Sequence, residues 1–450
     1  MTTARTAPAT PPAPTPAPGA APDPGTAPTS YVERQLAGFR GALRSSFEGT
    51  PGRLKATGAV TVVAALIFGL VAGYSFRAAD GALSRAGANA DQLIRVQAIQ
   101  NSVVQADAGA TNAFLVGGLE PPAERAEYTA AISSASRLIA EAAQNQPADG
   151  PALGALNEAV LGYASEIEQA RANNRQALPI GAQYLKNASA GLRADALPPL
   201  RSLVEANNDR VDAEFDNARS AVLWLVVSGL LALVVLGFAL VWLARQTRRY
   251  LNMPLAAAAL IVLVTLLVGA AGLVGIGGKV DTVQTGVYAA TVSTAQARIA
   301  GFDAKSNESL ALIARGSGAA FEESWKQSDG VVQGQLAQLD GNSAADDLEP
   351  LPWDDYVRVH EQIRELDDGG QWDSAVQLAT GTVASTGNAT FASFDETSGE
   401  QLSTLGEKTA SQLDEAGGWL TFASVLGVLA GAIAAICAWW GVSLRLAEYR

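Results

Sequence analysis

The stretch Arg245-Gln246-Thr247-Arg248-Arg249 separates two long charge-free runs, residues 220–244 and residues 250–278. Each run exceeds the roughly 20 apolar residues that cross a bilayer core. The two runs are therefore predicted to be membrane helices joined by a tight hairpin. Basic residues accumulate in cytoplasmic loops, so the three arginines of residues 245–249 place this loop on the cytoplasmic side.

Two further charge-free runs lie nearer the ends of the chain, at residues 56–76 and 416–444. Charged side chains lie outside the four runs, which explains how a chain with 48% hydrophobic residues has a formal net charge of −13. Residues 77–219 and 279–415 carry −5 and −15, whereas the first 55 residues carry +3. The positive-inside bias predicts a multi-pass cell-membrane protein with a cytoplasmic N-terminus, a cytoplasmic tail at residues 445–450 and both acidic segments outside.

Both acidic segments have the composition of helical bundles. Residues 77–219 are rich in Ala, Leu, Glu, Gln and Arg, with breaks expected at proline-containing stretches, among them Pro198 and Pro199. Four helices are predicted there, and residues 279–415 repeat the plan. The fold class is therefore all-α: four transmembrane helices with two extracellular helical bundles, in a tandem repeat of span, bundle, span.

The region before the first span divides into two parts. Residues 1–30 alternate Pro, Ala and Thr, so they are predicted to be a disordered cytoplasmic tail. Residues 31–55 have apolar residues at helical spacing with arginines between them, which predicts an amphipathic basic helix. This helix would lie on the anionic inner leaflet or dock a cytoplasmic partner. The candidate contact residues on the cytoplasmic side are Arg40, Arg44, Arg245, Arg248 and Arg249.

Polar residues interrupt the apolar positions of the first bundle helix. Gln100 and Asp107 occupy positions in a repeat spaced alternately three and four, which continues to Phe114. A polar residue at such a position fixes register, and this is one interpretation. The other is that the bundle is marginally stable and that a helix shifts when something binds outside. Asp303 stands at the corresponding place in the second bundle, since Asp303-Ala304 and Asn307 parallel Asp107-Ala108 and Asn112.

No catalytic motif is visible, so the protein is not expected to be an enzyme. The only histidine, His360, has no cysteine or second histidine with which to form a metal site and is interpreted as a surface or packing residue. No cofactor, metal or nucleic-acid partner is expected. Gly69 and Gly73, and likewise Gly427 and Gly431, have the small-residue spacing that can pack one membrane helix against another.

Residues 107–118, Asp-Ala-Gly-Ala-Thr-Asn-Ala-Phe-Leu-Val-Gly-Gly, with Tyr128 beyond them, resemble the first helix transition of extracellular four-helix-bundle sensors in chemoreceptors and CHASE3-type histidine kinases. The layout of two outer domains, four spans and a proline-rich N-terminus resembles the GlnX family of actinobacterial membrane proteins. That resemblance implies a relay between an extracellular solute-binding protein for glutamate or aspartate and a cytoplasmic Ser/Thr kinase. The resemblance to bundle sensors also implies a possible homodimer.

Three functions therefore remain open. The first is a non-enzymatic transmembrane relay that acts on a separate cytoplasmic effector. The second is a membrane scaffold for envelope or division proteins, and the third is an accessory subunit of a transporter. A change that depends on ligand distinguishes the relay from the scaffold, and co-purification with transport components identifies the accessory subunit.

Overall fold

The computed structural model describes residues 50–116, 120–176, 178–247 and 252–447, and it contains no strand within these residues. The predicted tail at residues 1–30 lies outside the described residues, as does most of the predicted helix at 31–55. Of the cytoplasmic contact candidates, Arg40, Arg44, Arg248 and Arg249 also lie outside them.

The α-helices of the described residues are α1 (Thr50–Val116), α2 (Pro122–Asn145), α3 (Gly150–Arg175), α4 (Ile180–Gly191), α5 (Leu197–Thr247), α6 (Met253–Val283), α7 (Ala289–Ile313), α8 (Ala319–Asp340), α9 (Trp353–Asp368), α10 (Trp372–Thr380), α11 (Gly387–Gly417) and α12 (Leu420–Ala447).

Four of these helices, α1, α5, α6 and α12, contain segments long and apolar enough to cross a membrane. Large apolar side chains on them point outward, with Leu70, Phe238 and Val268 more than 60% exposed. Such exposure is unfavourable in water but natural in lipid. The chain is thus an all-α membrane protein with four candidate spans, as the sequence predicted.

The first and last spans, α1 and α12, cross at glycines. A Cβ built on Gly69 would lie 2.6 Å from the Cα of Gly431, and one on Gly73 would lie 2.5 Å from a methyl group of Val428. No side chain fits between backbones this close, which is the packing that small residues four apart permit. Residues 50–59 and 442–447 form a unit of their own, in which Gly58 faces Val442.

The first polar domain, residues 77–219, consists of the part of α1 beyond its span, α2, α3, and the helical run from α4 into α5. The break expected at Pro198 and Pro199 is absent, and that prediction was wrong. A π-helical segment, Leu192–Ala196, joins α4 to α5 instead. In a regular α-helix the proline ring clashes with the carbonyl group four residues before it. The wider turn of a π-helix makes room for the ring without ending the helix.

The second polar domain, residues 279–415, contains α7 to α11. A second π-helical segment, Gln284–Tyr288, leads from α6 into α7, and Gly286 inside it has φ −96° and ψ −106°. Asn342 donates hydrogen bonds to the carbonyls of Thr285 and Gly286, at 3.2 and 2.9 Å, so a side chain from a later loop stabilises the kink. The domain core is aromatic, centred on the fully buried Trp353.

Hydrogen bonds and ion pairs tie the helices together where the polar domains meet the spans. Arg85 of α1 donates two hydrogen bonds to Glu214 of α5, at 2.8 and 2.9 Å. Further contacts join α5 to the continuous helical segment from α6 to α7. Gln284 donates a hydrogen bond to Asp212 at 2.6 Å, Tyr288 donates one to Asn208 at 2.8 Å, and Arg219 forms an ion pair with Asp281. Displacement of one of these helices therefore acts directly on its neighbours.

Candidate functional site

Asp107 lies inside the first polar domain and is 2% exposed. Its two carboxylate oxygens accept hydrogen bonds from two serines. Ser189 of α4 donates to Oδ1 at 2.5 Å, and Ser306 of α7 donates to Oδ2 at 2.6 Å. Since Ser306 belongs to the second polar domain, the seam residue predicted from the first domain is a point where the two domains meet.

Arg193 joins Asp107 to Asp303. Its Nη1 lies 3.4 Å from Oδ2 of Asp107, and its Nε and Nη2 donate to Oδ1 of Asp303 at 3.1 and 2.9 Å. Burial lowers the pKa of Arg193, but the charges of Asp107 and Asp303 outweigh burial, and the pKa is raised from its ordinary value. The guanidinium is therefore a fixed positive charge between two carboxylates from different domains.

Asp303 extends the same network to another helix of the second domain. Its Oδ2 accepts hydrogen bonds from Ser328 of α8 at 2.8 Å and from Asn307 of α7 at 3.1 Å. Asp107 and Asp303, which stand at corresponding positions in the sequences of the two bundles, are therefore connected in space through Arg193. We call Asp107, Arg193 and Asp303, with Ser189, Ser306 and Ser328, the interdomain network.

The Arg193 side chain points toward Asp107 and Asp303 because Arg193 lies within the π-helical segment Leu192–Ala196. A π turn holds one more residue than an α turn and so rotates the side chains that follow it. Arg193 Nη1 also donates to the carbonyl of Ser189, at 3.2 Å, which fixes the guanidinium against its own helix. Such segments are frequent at functional sites because they re-aim one side chain without ending a helix.

The groups of the interdomain network are carboxylates, a guanidinium and hydroxyls, and they hydrogen-bond one another across the two polar domains. Among the described residues, no group of three or more His, Cys, Asp or Glu side chains is arranged to hold a metal ion. Removing one partner of a buried ion pair costs about 3–5 kcal/mol, and the partial exposure of Arg193 and Asp303 places the contact between the two domains near the lower limit.

The remaining candidate residues lie outside the interdomain network, and of them Gln100 lies beside it. Gln100 lines a cleft bounded also by Arg193 and Asp303. Phe114 is half-buried and packs at the start of α4, where a Cβ on Gly181 would lie 3.3 Å from the Phe114 ring. Arg245 is exposed near the end of α5. The structure therefore joins Asp107 with Asp303, places Gln100 beside them and leaves Phe114 and Arg245 elsewhere.

A second buried polar cluster surrounds His360 in the second domain. His360 Nδ1 lies 2.8 Å from Oε2 of Glu308, and its Nε2 lies 3.2 Å from Glu322. The imidazole stacks on Trp325, with ring centroids 3.7 Å apart and an interplanar angle of 7°. Lys305 donates to the other oxygen of Glu308 at 2.7 Å. We call His360, Glu308, Glu322 and Lys305 the histidine cluster.

The histidine cluster shifts the pKa values of its members. Burial raises the pKa of Glu308, but Lys305 and His360 more than offset it and lower the value to about 2. Burial lowers the pKa of His360, but its hydrogen bonds to Glu308 and Glu322 reverse this, and the pKa is raised from its ordinary value. His360 is therefore a buried packing residue that is protonated more readily than a free imidazole, and its ionic contacts were not foreseen from the sequence.

A signal for the histidine cluster was present in the sequence. Tyr356, His360 and Ile363 follow helical spacing, and Lys305 stands three residues before Glu308 on one face of a helix. The partners of His360 lie 38 and 52 residues away in the chain, however. The residue pattern of a single helix does not indicate which residues so far away in the chain will contact His360.

Comparison with known families bears on the domain that holds Asp107 and Arg193. Residues 82–216 match the family model described as actinobacterial sensor domain. The match covers most of the first polar domain and supports a sensor role for this membrane protein. Neither the comparison with curated proteins nor that with solved structures gives a match.

Proposed function

We propose that the protein is a non-enzymatic transmembrane sensor that relays an extracellular signal to a separate cytoplasmic effector. The observation that carries the proposal is the interdomain network, which joins the domain matched as a sensor to the second polar domain. A site at which one half-buried cation joins two domains is suited to two discrete arrangements. A signal that binds one arrangement more tightly shifts the balance between them.

The helices of the interdomain network supply the path toward the membrane. Asp107 lies on α1, a single helix of 67 residues that also contains the first span. Arg193 precedes α5 and its span, and Asp303 follows α6 and its span. Because an α-helix transmits displacement along its axis, a shift of 1–2 Å at the network would reach the opposite end of these spans.

The proposed orientation places both polar domains outside and both termini in the cytoplasm. It rests on the three arginines of residues 245–249 and the acidic balance of both domains. In this orientation the basic residues Arg40, Arg44, Arg245, Arg248 and Arg249 meet anionic lipid and the effector. From the resemblance to GlnX-like proteins, we propose a cytoplasmic Ser/Thr kinase as effector, an extracellular solute-binding protein that reports glutamate or aspartate, and a homodimer as a possible assembly.

Crosslinking in the native membrane tests the proposal. The full-length protein is crosslinked with and without added glutamate or aspartate and then purified with its partners. We expect a solute-binding protein whose recovery changes with the amino acid, together with a kinase. The variant Arg193→Gln should remove the dependence on amino acid, and Arg175→Gln, a change at an exposed arginine of the same domain, should keep it. Recovery of envelope or division proteins alone, indifferent to amino acid, would replace the relay with a scaffold.

A further inference from the structure

A cleft of about 760 Å³ opens beside the interdomain network. It is bounded by α1, α5, α7 and α8, so both polar domains contribute to its walls. Its volume lies within the range of about 300–1,000 Å³ that small-molecule sites occupy. A molecule held in this cleft would therefore contact both domains at once.

Carboxamide side chains line every wall of the cleft. They are Gln97 and Gln100 on α1, Asn208 on α5, Gln296 on α7 and Gln327 on α8. A carboxamide carries two donor hydrogens and an acceptor oxygen, and it has no charge. The cleft therefore presents neutral groups that donate and accept hydrogen bonds from all four helices.

Gln97 has an amide without partners in this cleft. The residue is 2% exposed, and neither its Nε2 nor its Oε1 has a hydrogen-bond partner within the described part of the chain. A buried amide without partners destabilises the folded protein, and a leucine of similar size would avoid that cost. A bound molecule that both accepts and donates hydrogen bonds would supply what the Gln97 amide lacks.

The charged residues at the cleft leave no buried charge for a ligand to neutralise. Arg193 and Asp303 are paired with each other in the interdomain network. Arg201 and Glu205 are exposed, and they stand four residues apart on α5, where their opposite charges share one face of the helix. A charged ligand would lose its hydration without gaining a buried partner of opposite charge, so an uncharged ligand fits better.

The rest of the lining is aliphatic. It includes Val104, Leu197, Val204, Ile299 and Val331, and no aromatic ring is present among the described residues that line the cleft. A flat aromatic ligand would therefore have no ring on which to stack. A saccharide ring has C–H groups on its faces, which suit aliphatic side chains, and hydroxyls around its edge, each of which donates and accepts.

We propose that this cleft binds a neutral saccharide of one or two rings. Gln97 donates to one of its oxygens through Nε2 and accepts from a hydroxyl through Oε1, and Gln296 binds it from the second domain. Because both domains contribute to binding, the saccharide favours the arrangement in which Arg193 joins Asp303. That effect rests on the proposed sensor function, whereas binding itself does not. The saccharide is an input separate from the amino-acid signal of the proposed relay.

Isothermal titration calorimetry of the purified full-length protein in lipid nanodiscs tests the inference. The neutral probes are D-glucose, D-galactose, maltose and trehalose. D-glucuronate and D-glucosamine carry a negative and a positive charge on the same kind of ring, and adenine is a flat heterocycle that also donates and accepts hydrogen bonds. We expect at least one neutral saccharide to bind saturably, and the charged sugars and adenine to bind about tenfold more weakly or not at all.

Variants at two carboxamides, one from each polar domain, locate the site. Gln97→Leu and Gln296→Leu should each weaken saccharide binding about tenfold, because each removes hydrogen bonds to the ligand. Gln97→Leu should also leave the ligand-free protein as stable as before or more stable, since it removes a buried amide without partners. Loss of binding through misfolding would instead lower the melting temperature. The matched control is Gln144→Leu, which changes an exposed glutamine of α2 outside the cleft and should bind normally.

Variants at the exposed charges test whether the ligand is recognised as a neutral molecule. Arg201→Gln and Glu205→Gln should each change the dissociation constant by less than about twofold, because a neutral saccharide needs neither charge. A loss of about tenfold in either variant would show that charge recognises the ligand and would overturn the proposed class.

The inference would also be overturned if none of the four neutral saccharides binds, or if binding is equally tight in Gln97→Leu and Gln296→Leu. Neither result touches the proposed relay, since the crosslinking experiment measures partner recovery with an amino acid. Conversely, saccharide binding that depends on Gln97 and Gln296, together with partner recovery indifferent to amino acid, would refute the relay and retain the saccharide site.

Discussion

Replacing Arg193 with glutamine should destabilise the polar domains, because it removes the cation that Asp107 and Asp303 share. Breaking a buried ion pair costs about 3–5 kcal/mol. The expected cost here is near the lower limit, about 3 kcal/mol, for two reasons. Asp107 keeps its two serine hydroxyls, and the side chains of Arg193 and Asp303 are each 26% exposed, which lets solvent screen their contact.

The assay is thermal unfolding of the full-length protein in nanodiscs, recorded at one heating rate because membrane proteins often unfold irreversibly. A loss of about 3 kcal/mol should lower the melting temperature by about 6–12 °C for domains of this size. Arg175→Gln is the control, since Arg175 is exposed and forms no ion pair within the described residues.

A double-mutant cycle with Asp303→Asn then isolates the pair. If Arg193 acts through Asp303, the cost of Arg193→Gln should fall in the Asp303→Asn background. A melting temperature within about 1 °C of the wild type, or full additivity in the cycle, would show that the contact does not hold the domains together.

Three further perturbations test other parts of the structure. Gly69→Val should separate α1 from α12, because a Cβ at position 69 would lie 2.6 Å from the Cα of Gly431. Crosslinking between cysteines placed in the two spans should then fall severalfold. Unchanged crosslinking would disprove this packing. The pKa of His360 is higher in the folded protein than its unfolded value of about 6.5. Protonated His360 therefore stabilises the fold fully below pH 6.5, and this stabilisation is lost as the pH rises through the folded pKa. The melting temperature should fall as the pH rises above about 6.5, and His360→Gln should reduce that dependence. An equal pH dependence in both proteins would exclude His360 as its source. Asn342→Ala should lower the free energy of unfolding by about 1 kcal/mol, because it removes two hydrogen bonds to the carbonyls of Thr285 and Gly286. Amide hydrogen exchange at residues 284–288 should become faster. Unchanged exchange would show that the kink does not depend on Asn342.

The membrane-spanning helices were predictable because a bilayer constrains composition directly. A helix that spans lipid must be apolar over about 20 residues, and residues 56–76 or 220–244 satisfy this without reference to any other part of the chain. The helical character of both polar domains was predictable for a similar reason, since intrinsic helix preference is local.

The candidate site was predictable only in part. Asp107 stood out because a carboxylate occupied an apolar position in a regular repeat, and Asp303 followed from similar neighbouring residues. Arg193 had no such signal. It lies in a π-helical segment that shifts the helical register, and its partner Asp303 is 110 residues away in the chain. Contacts between helices depend on how side chains fit in three dimensions, and the periodicity of one helix does not contain that information.

Because both polar domains belong to one polypeptide, the pairing of Arg193 with Asp303 is a unimolecular event. Its equilibrium is independent of how many copies of the protein a cell makes, unlike the association of two separate receptor subunits, which follows mass action. A chain with two unlike halves, of formal charge −5 and −15, also permits the halves to diverge in a way that identical subunits cannot. One half can retain the ability to recognise a signal while the other evolves to set the threshold at which that signal is registered.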